Sequence, residues 1–250
     1  MCIRDSFWIN PLHVGMLSDR GHGKLIQLER ARSLGLEVPA TVCTNDPEVA
    51  KAFVTRFPEG AIYKPFMSPT RVMRETEDVT RYGLVFTTRI DQTAMDNLDD
   101  VSVTPCTFQE LIPKRYDLRV IVMGHKVFAT EIHSQVDPRS SLDFREHYAL
   151  GQTPYAPHDL PSDIARRCVD LCRSFGMVYG ALDIVLTPDG RYVFLEVNQM
   201  GQFLWLEAQT GQPLLDNFCQ LLIQGRPDFT CDAKTHEPGL PALPELEDDE

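Results

Sequence analysis

Two pairs of strand-like segments in the second half of the chain limit its fold more than any other feature. Each pair alternates apolar and polar residues around a short turn that contains glycine, Gly124 in one case and Gly190 in the other. Such turns join antiparallel strands, because glycine accepts the positive φ that tight hairpins require. The predicted strand pairs are 116–123 with 126–132, and 181–186 with 191–198. This half of the chain therefore predicts an antiparallel sheet.

Helical patterns alternate with shorter strands in the rest of the chain, which predicts an α+β fold with helices packed against antiparallel sheets. Asp46 is the predicted N-cap of one helix, with Pro47 in its first position, and Ser162 is the predicted N-cap of another. The remaining predicted elements are a helix over 24–34, strands over 38–43, 61–66 and 107–112, and loops from 67 to 100 with one strand near 84–88.

The two ends of the chain differ from its middle. MCIRDS at the start looks like adapter-derived sequence joined to an interrupted gene, so that Phe7 would be an arbitrary cut point. EPGLPALPELEDDE at the other end is rich in proline and acids, as disordered tails are. The predicted units are an adapter-like start with the remnant of an upstream connection (1–23), an N-terminal lobe (24–105), a C-terminal lobe (106–230) and an acidic tail (231–250).

Composition disfavours several classes of partner. The 24 Lys and Arg residues against 36 Asp and Glu give a net charge of −12, which opposes unspecific binding to nucleic acid or to an anionic membrane. No apolar run is long enough to cross a bilayer. The seven cysteines are scattered without a CxxC pair, so free thiols in a reducing cytoplasm are expected. A homodimer is the prior expectation for the assembly.

The last predicted strand ends in polar side chains that a core strand does not need. If the hairpin pairs Thr187 with Tyr192, then Asp183 lies directly opposite Glu196. Like charges that face each other across two strands destabilise a sheet by up to about 1 kcal/mol, and a divalent cation between them would remove that conflict. Alternation places Asn198 on the same face as Glu196. These oxygen ligands suit magnesium bound to phosphates and do not suit zinc.

Two more polar positions interrupt apolar strands, and each has two interpretations. In YDLRVIVMG, Asp117 and Arg119 share one face. Arg119 either binds a phosphate or carboxylate or forms a salt bridge with Asp117 or Glu131. Lys64 is either a phosphate contact or an edge lysine that holds its charge in solvent. The facing acids of the last hairpin are likewise open to interpretation as solvated residues on an edge.

Together these segments resemble the ATP-grasp superfamily. The matching segments in chain order are IYKPF, FQELIP, DLR, DFR, ALDIVL and FLEVN, within residues 24–225. The blocks PCTFQELIPKRYDLRVIVMGHKVFATEIHSQ and GALDIVLTPDGRYVFLEVNQMGQFLWLE are most similar to the microviridin-type peptide ligases, also called graspetide synthetases. The sequence also resembles, more distantly, the ribosomal-protein glutamate ligases and similar amino-acid ligases. The resemblance implies two α+β lobes that clasp ATP, preceded by an N-terminal domain of which this chain has almost none.

The resemblance also implies a role for each matching residue. In this superfamily a strand lysine contacts the nucleotide, a hinge between the lobes holds adenine, arginines hold phosphates, and an acidic strand binds magnesium. The implied nucleotide-binding residues are Lys64, Gln109, Glu110, Leu111, Ile112 and Asp117; the implied catalytic residues are Arg119 and Arg145; and the implied magnesium ligands are Asp183, Glu196 and Asn198.

The implied activity is an ATP-dependent ligation, with ATP and Mg²⁺ as cofactors. A substrate carboxylate takes the γ-phosphoryl group of ATP to give an acyl-phosphate and ADP, and an amine or hydroxyl then displaces phosphate to form an amide or an ester. In microviridin-type ligases the substrate is a ribosomally made precursor peptide, whose acidic side chains become linked to its Ser, Thr or Lys side chains.

Departures from the family pattern keep two other functions open. Residues 67–82 lack the glycine-rich loop that often covers the phosphates, and offer Arg71, Arg74 and Arg81 as phosphate contacts or as a solvated loop. Gln199 stands where proline commonly follows the metal-binding asparagine. The alternatives are a ligase that adds free amino acids to a protein or small acid, and a degenerate ATP-binding module.

Overall fold

The computed structural model describes residues 7–10, 22–65, 70–74, 80–84, 87–144 and 153–230. The predictions for residues 1–6, for Arg145 and for the tail 231–250 lie outside these residues. No helix within the described ranges is long and apolar enough to cross a bilayer.

Helices and strands alternate along the described residues, which confirms the α+β class. The α-helices are α1 (His22–Ser33), α2 (Pro47–Val54), α3 (Gln92–Asp96), α4 (Ser162–Ser174), α5 (Leu204–Thr210) and α6 (Leu214–Gln224). The strands are β1 (Thr41–Thr44), β2 (Ala61–Lys64), β3 (Thr70–Arg74), β4 (Thr80–Leu84), β5 (Thr88–Arg89), β6 (Cys106–Glu110), β7 (Tyr116–Met123), β8 (Lys126–Ile132), β9 (Tyr155–His158), β10 (Tyr179–Leu186) and β11 (Tyr192–Asn198).

The strands form three antiparallel sheets. The first has the order β1-β6-β2-β5, the second the order β11-β10-β7-β8-β9, and the third is the hairpin β3-β4. The third sheet corrects the prediction of a loop at its position, because Thr70 to Arg74 pairs with Thr80 to Leu84. Arg71, Arg74 and Arg81 therefore lie in strands. Thr, Val and Tyr favour paired strands, and this preference outweighs the polar composition of the segment.

Two elements pack with a sheet on the other side of the predicted boundary between residues 105 and 106. Strand β6 follows that boundary but belongs to the first sheet, between β1 and β2, with Gln109 opposite Thr41. Helix α1 precedes the boundary but packs on the second sheet, where its Leu28 and Ala31 are buried. Sheet membership depends on pairing between distant strands, which the order of elements does not specify.

One face of the second sheet is covered by helices, and the opposite face is divided into areas that are packed differently. On the covered face, Leu118, Leu182 and Phe194 are buried in a core shared with α1 and α4. On the opposite face, one end packs beneath α5 and α6, and the other end carries a small apolar patch around Val185 and Val193. The strip between these two areas is left for polar residues.

Of the two predicted N-caps, Asp46 is confirmed and Ser162 is wrong. The Asp46 carboxylate accepts hydrogen bonds from the Glu48 and Val49 amides at the start of α2, as predicted. Ser162 is not the cap of α4: it is already helical, and Pro161 precedes it with φ −51° and no side-chain cap. Since Pro161 already provides the entry into the helix, the Ser162 hydroxyl has no capping role.

Candidate active site

A cleft lies between the first and second sheets. Its walls come from β2 and β6 on one side, from β7, β10 and β11 on the other, and from the connecting residues 111–114 and the segment 142–144. The predicted site residues that line it are Lys64, Gln109, Glu110, Leu111, Ile112, Asp117, Asp183 and Glu196.

Asp183 faces Glu196 in the second sheet, as predicted, although the predicted register at the turn was wrong. Next to the turn, Leu186 pairs with Tyr192, where Thr187 was expected. The pairing shifts by one residue between Asp183 and Ile184, so that the predicted partners meet farther along the strands.

The shift is a β-bulge, and Leu195 is its additional residue. Phe194 is buried in the covered core, and Leu195 lines the cleft. Regular alternation would turn the next side chain, Glu196, back into that core. The bulge keeps Glu196 on the cleft side and returns Val197 to the core. Bulges re-aim side chains in this way near functional sites.

Arg119, Asp183 and Glu196 occupy neighbouring positions on β7, β10 and β11. Arg119 Nη1 lies 2.6 Å from Asp183 Oδ1, and Lys24 Nζ lies 3.0 Å from Glu196 Oε2. Each of the facing carboxylates therefore has a cationic partner in the protein. This compensation removes the repulsion that suggested a divalent cation, so the charge conflict alone no longer argues for a metal.

The Arg119 side chain is held in the second sheet by an ion pair. Its salt-bridge partner is Asp183, and the alternative pairing with Asp117 or Glu131 is wrong. Burial lowers the pKa of Arg119, but the adjacent Asp183 carboxylate raises it by more, so the guanidinium stays charged. Among the described residues, Arg119 Nε has no hydrogen-bond partner. Because Arg119 Nε is itself buried, a ligand can use this donor only after the surrounding groups move.

Lys64 and Lys24 approach the same carboxylate from different elements. Lys64 faces the cleft beside Ile62, while Tyr63 between them packs into the core of the first sheet. Burial lowers the pKa of Lys64 to about 8, with Glu196 opposing the shift and Lys24 adding to it. Lys24, in the first turns of α1, was missed by the sequence prediction. Nothing in the helical pattern connects it with Glu196, which lies far along the chain.

At the connection between the first and second sheets, two polar groups are already engaged in hydrogen bonds within the protein. Glu110 Oε2 accepts a hydrogen bond of 3.2 Å from the Ala40 amide, and the Leu111 amide donates one of 3.1 Å to the Gly60 carbonyl. Both groups were predicted to contact adenine. The Leu111 carbonyl and the Ile112 peptide group are therefore the better candidates for a ligand.

Asp117 lies in the cleft wall, and its carboxylate fastens a neighbouring segment. Lys114 Nζ lies 2.9 Å from Asp117 Oδ1, and Ser134 Oγ donates to Asp117 Oδ2 over 2.6 Å. Lys114 also donates to the Leu142 carbonyl over 2.9 Å, next to Asp143, which is buried in the lining of the cleft. The i, i+3 spacing of Lys114 and Asp117 in PKRYD was the signal that sequence reasoning overlooked.

Asn198 stands apart from the other two predicted metal ligands. It is exposed, lies opposite Ala181, and its Oδ1 accepts a hydrogen bond of 2.8 Å from the Met200 amide. In the part of the chain that the structure describes, no three His, Cys, Asp or Glu side chains group as a metal cluster. The carboxylates of Asp183 and Glu196 line the cleft together, and these oxygen donors fit a magnesium ion that takes its other ligands from phosphates and water.

Comparison with known proteins gives a consistent result at the level of structure. No protein-family model and no curated protein matches the sequence. The macrocyclase MdnC from Microcystis aeruginosa MRC, solved with the precursor peptide MdnA, is 32% identical with a TM-score of 0.72, over 87% of this chain and 64% of that chain. A RiPP-associated ATP-grasp ligase from Chryseobacterium gregarium, solved with ADP and a leader and core peptide, is 30% identical with a TM-score of 0.66, over 82% and 57%.

A third structure, the ATP-grasp ligase PsnB with a minimal precursor, Mg and ADP, is 26% identical with a TM-score of 0.63, over 81% of this chain and 58% of that chain. The chain thus spans about three fifths of the length of these proteins. The chain is therefore related to the ATP-grasp peptide ligases and shares their fold over the part that it spans.

Proposed function

We propose that the chain carries out an ATP-dependent ligation that forms amide or ester crosslinks between side chains of a ribosomally made precursor peptide. The observation that carries this proposal is the row of Arg119, Asp183 and Glu196 on neighbouring strands. Asp183 and Glu196 line the cleft, and Lys64 lines it from the opposite wall. The related structures with precursor peptides, ADP and Mg support the class of substrate.

The nucleotide would lie between the two walls. The apolar patch of Ile112, Val185, Val193 and Leu195 would contact the base, next to the Leu111 carbonyl. Lys64 lines the same cleft, and its ammonium group would bind the phosphates. Lys24 would add a second positive charge there once it leaves Glu196.

Asp183 and Glu196 would hold Mg²⁺ between β10 and β11. The ion would neutralise phosphate charge as it develops during transfer. For this role Glu196 has to exchange Lys24 for the ion, and Asn198 has to turn its oxygen away from the Met200 amide. The exchange at Glu196 would give up a salt bridge that is only partly buried, and the exchange at Asn198 would give up its hydrogen bond with the Met200 amide.

Arg119 would hold the reacting carboxylate or the transferred phosphoryl group. Its guanidinium is oriented by Asp183, as a preorganised charge for electrostatic stabilisation requires, and its buried Nε would have to become accessible to the ligand. Arg145, which follows the cleft segment 142–144, is proposed for the same task. In the reaction, a carboxylate oxygen bonds to the γ-phosphorus as ADP leaves. An amine nitrogen or a hydroxyl oxygen then bonds to the activated carbonyl carbon and loses its proton. Phosphate departs as the leaving group.

Mass spectrometry of the peptide substrate tests this proposal. The short peptide encoded beside the gene is co-expressed with the protein, and its intact mass is measured. Loss of one water per new bond supports intramolecular ligation, and the Glu196→Gln variant must abolish it. The exposed Asp189→Asn variant, on the same hairpin, serves as the matched control and should leave the product unchanged.

Two other outcomes correspond to the alternative functions. A mass gain equal to added amino acids would assign the protein to the amino-acid ligases. Nucleotide binding without phosphate release, and with an unchanged peptide mass, would identify a degenerate ATP-binding module. A combined measurement of peptide mass and released phosphate therefore separates the three functions.

A further inference from the structure

Residues 7–10 lie against the second sheet, and the carboxamide of Asn10 makes four hydrogen bonds there. Asn10 Nδ2 donates to the carbonyls of Tyr179 over 3.0 Å and Gln199 over 2.8 Å. Asn10 Oδ1 accepts from the amides of Val178 over 3.2 Å and Tyr179 over 3.3 Å. A carboxamide offers two donors and one oxygen that accepts twice, so the side chain is fully used. It connects the start of β10 with the turn that follows β11.

The turn that begins at Gln199 is held at two carbonyls. Asn10 binds the Gln199 carbonyl, and the Tyr179 hydroxyl donates to the Gly201 carbonyl. Tyr179 is itself anchored through both of its backbone polar groups by Asn10. Burial raises the pKa of Tyr179 to about 12, against an opposing effect of Arg119, so the phenol keeps the proton that it donates.

The same turn packs directly against Arg119. A Cβ atom placed on Gly201 would lie 2.9 Å from Arg119 Nη2 and 2.4 Å from Ala181 Cβ. Glycine at this position therefore allows the backbone to approach the guanidinium closely. Asp183 holds Arg119 through Nη1, and the turn limits the movement of the guanidinium on the side of Nη2.

We infer that Asn10 is a positioning residue that fixes the Arg119 guanidinium through Tyr179 and the turn 199–201, and so couples the segment before the lobes to the ligation step. The coupling to catalysis rests on the proposed function, whereas the mechanical link rests on the hydrogen bonds alone. Asn10 touches no reacting group in this arrangement and acts only through the turn.

Substitutions at three positions separate positioning from general stability. Asn10→Ala removes all four hydrogen bonds, and Asn10→Asp keeps the acceptor but places a carboxylate against two carbonyls. Tyr179→Phe removes only the hydroxyl that holds Gly201. Asn217→Ala is the matched control: Asn217 is buried in α6, and its side chain donates to the Pro213 carbonyl rather than to the turn.

Hydrogen exchange in the ligand-free protein is the first readout, because it needs no enzymatic activity. The amides of 199–203 should exchange at least about tenfold faster in Asn10→Ala and Tyr179→Phe, since a local opening loses about 1.4 kcal/mol of protection for each tenfold change. Exchange of the same amides in Asn217→Ala should stay within about twofold of the wild type. Unchanged exchange in both Asn10→Ala and Tyr179→Phe would overturn the inference.

Steady-state kinetics are the second readout. Asn10→Ala should lower kcat for ligation about tenfold through misplacement of Arg119 and leave the Kd for ADP unchanged, because the hinge is untouched. An equal effect of Asn217→Ala on kcat would overturn the inference in favour of a structural role. A wild-type protein that does not ligate, but shows the exchange differences, would contradict the proposed function and leave the positioning role intact.

Discussion

The two walls of the cleft are built differently, and the difference separates binding from chemistry. The wall from the first sheet contributes Lys64 and a connection whose polar groups are largely engaged with β1 and β2, as Glu110 and Leu111 show. The wall from the second sheet contributes a row of opposite charges, Arg119 and Asp183 foremost, arranged by strand pairing and by a bulge. In the proposed function, the first wall contributes the lysine for the phosphates, and the second contributes the charged row for the reaction beside the apolar patch for the base.

This difference has a physical origin in the strands themselves. The strands of the first sheet have at most five residues, and β6 leads directly into the connecting residues 111, 112 and 114 that line the cleft. Strand β7 is buried along its whole length, so a charged residue within it has to be compensated inside the sheet. Substitutions in the charged row of the second wall should therefore affect the reaction, and substitution of Lys64 in the first wall should affect nucleotide affinity.

The largest effect is expected for Glu196→Gln in the second wall. Loss of a proposed magnesium ligand should reduce ligation about a thousandfold, as measured by phosphate release with the peptide present. Stability should change little, because the Lys24–Glu196 pair is partly exposed. Asp189→Asn, an exposed acid of the same hairpin, controls for loss of charge. Ligation at wild-type rates in Glu196→Gln would remove Glu196 from the site.

The next largest effect is a loss of stability when the salt bridge between Lys114 and Asp117 in the second wall is broken. Either Lys114→Met or Asp117→Asn leaves a buried charge without its partner, which should lower the free energy of unfolding by about 3 kcal/mol. Denaturant unfolding measures this loss. The exposed pair of Lys51 and Asp99 is the control, and Asp99→Asn should have no measurable effect. Equal stability of all these variants would show that the Lys114–Asp117 pair does not hold the wall.

Arg119→Lys should have a somewhat smaller effect. Lysine keeps the positive charge but loses the fixed geometry of the guanidinium, so ligation should fall about a hundredfold with little change in the Kd for ADP. Arg139→Lys, at an exposed pair with Asp137, is the control. A change in ADP affinity as large as the change in kcat would contradict the division between the walls.

The smallest effect is a pH dependence that originates in the first wall. Because the Lys64 pKa is lowered to about 8, the side chain is a cation below pH 8 and loses its proton above it. The Kd for ADP should therefore rise with pH above 8, by up to about tenfold per pH unit, since binding has to take up the missing proton. Isothermal titration measures this rise, and Lys64→Met should abolish it. A pH-independent Kd in the wild type would remove Lys64 from the phosphate site.

The same pKa shift predicts the sign of a stability change. Lys64 binds its proton up to the ordinary value of 10.5 in the unfolded chain but only up to about 8 in the folded protein. Between these values the unfolded state holds more protons, so the free energy of unfolding of the wild type should rise with pH relative to Lys64→Met. Thermal unfolding of both proteins from pH 7.5 to 10.5 checks the direction.

Local patterns in the sequence predicted the hairpins, the Asp46 cap and the α+β class, because each depends on residues a few positions apart. The meeting of Asp183 and Glu196 was also predicted, but an incorrect turn register was offset by the bulge at Leu195. A bulge has no distinct local signal in FLEVN, since the residues around it alternate as an ordinary strand does.

The partners of the charged residues could not be predicted from local patterns. Arg119 pairs with Asp183 across 64 positions of sequence, and Lys24 reaches Glu196 only because α1 packs on the second sheet. The assignment of β6 to the first sheet has the same cause. Each of these features depends on which strands and helices meet in three dimensions.

The most direct test of the central claim is whether the acidic pair of the second wall binds the nucleotide's metal ion. Electron paramagnetic resonance of Mn²⁺, used in place of Mg²⁺, is recorded with ADP and protein. The account predicts that the wild type broadens and depletes the signal of free Mn²⁺–ADP, and that Glu196→Gln and Asp183→Asn bind ADP but leave this signal close to that without protein. Equal loss of the free signal with both variants and the wild type would contradict the account.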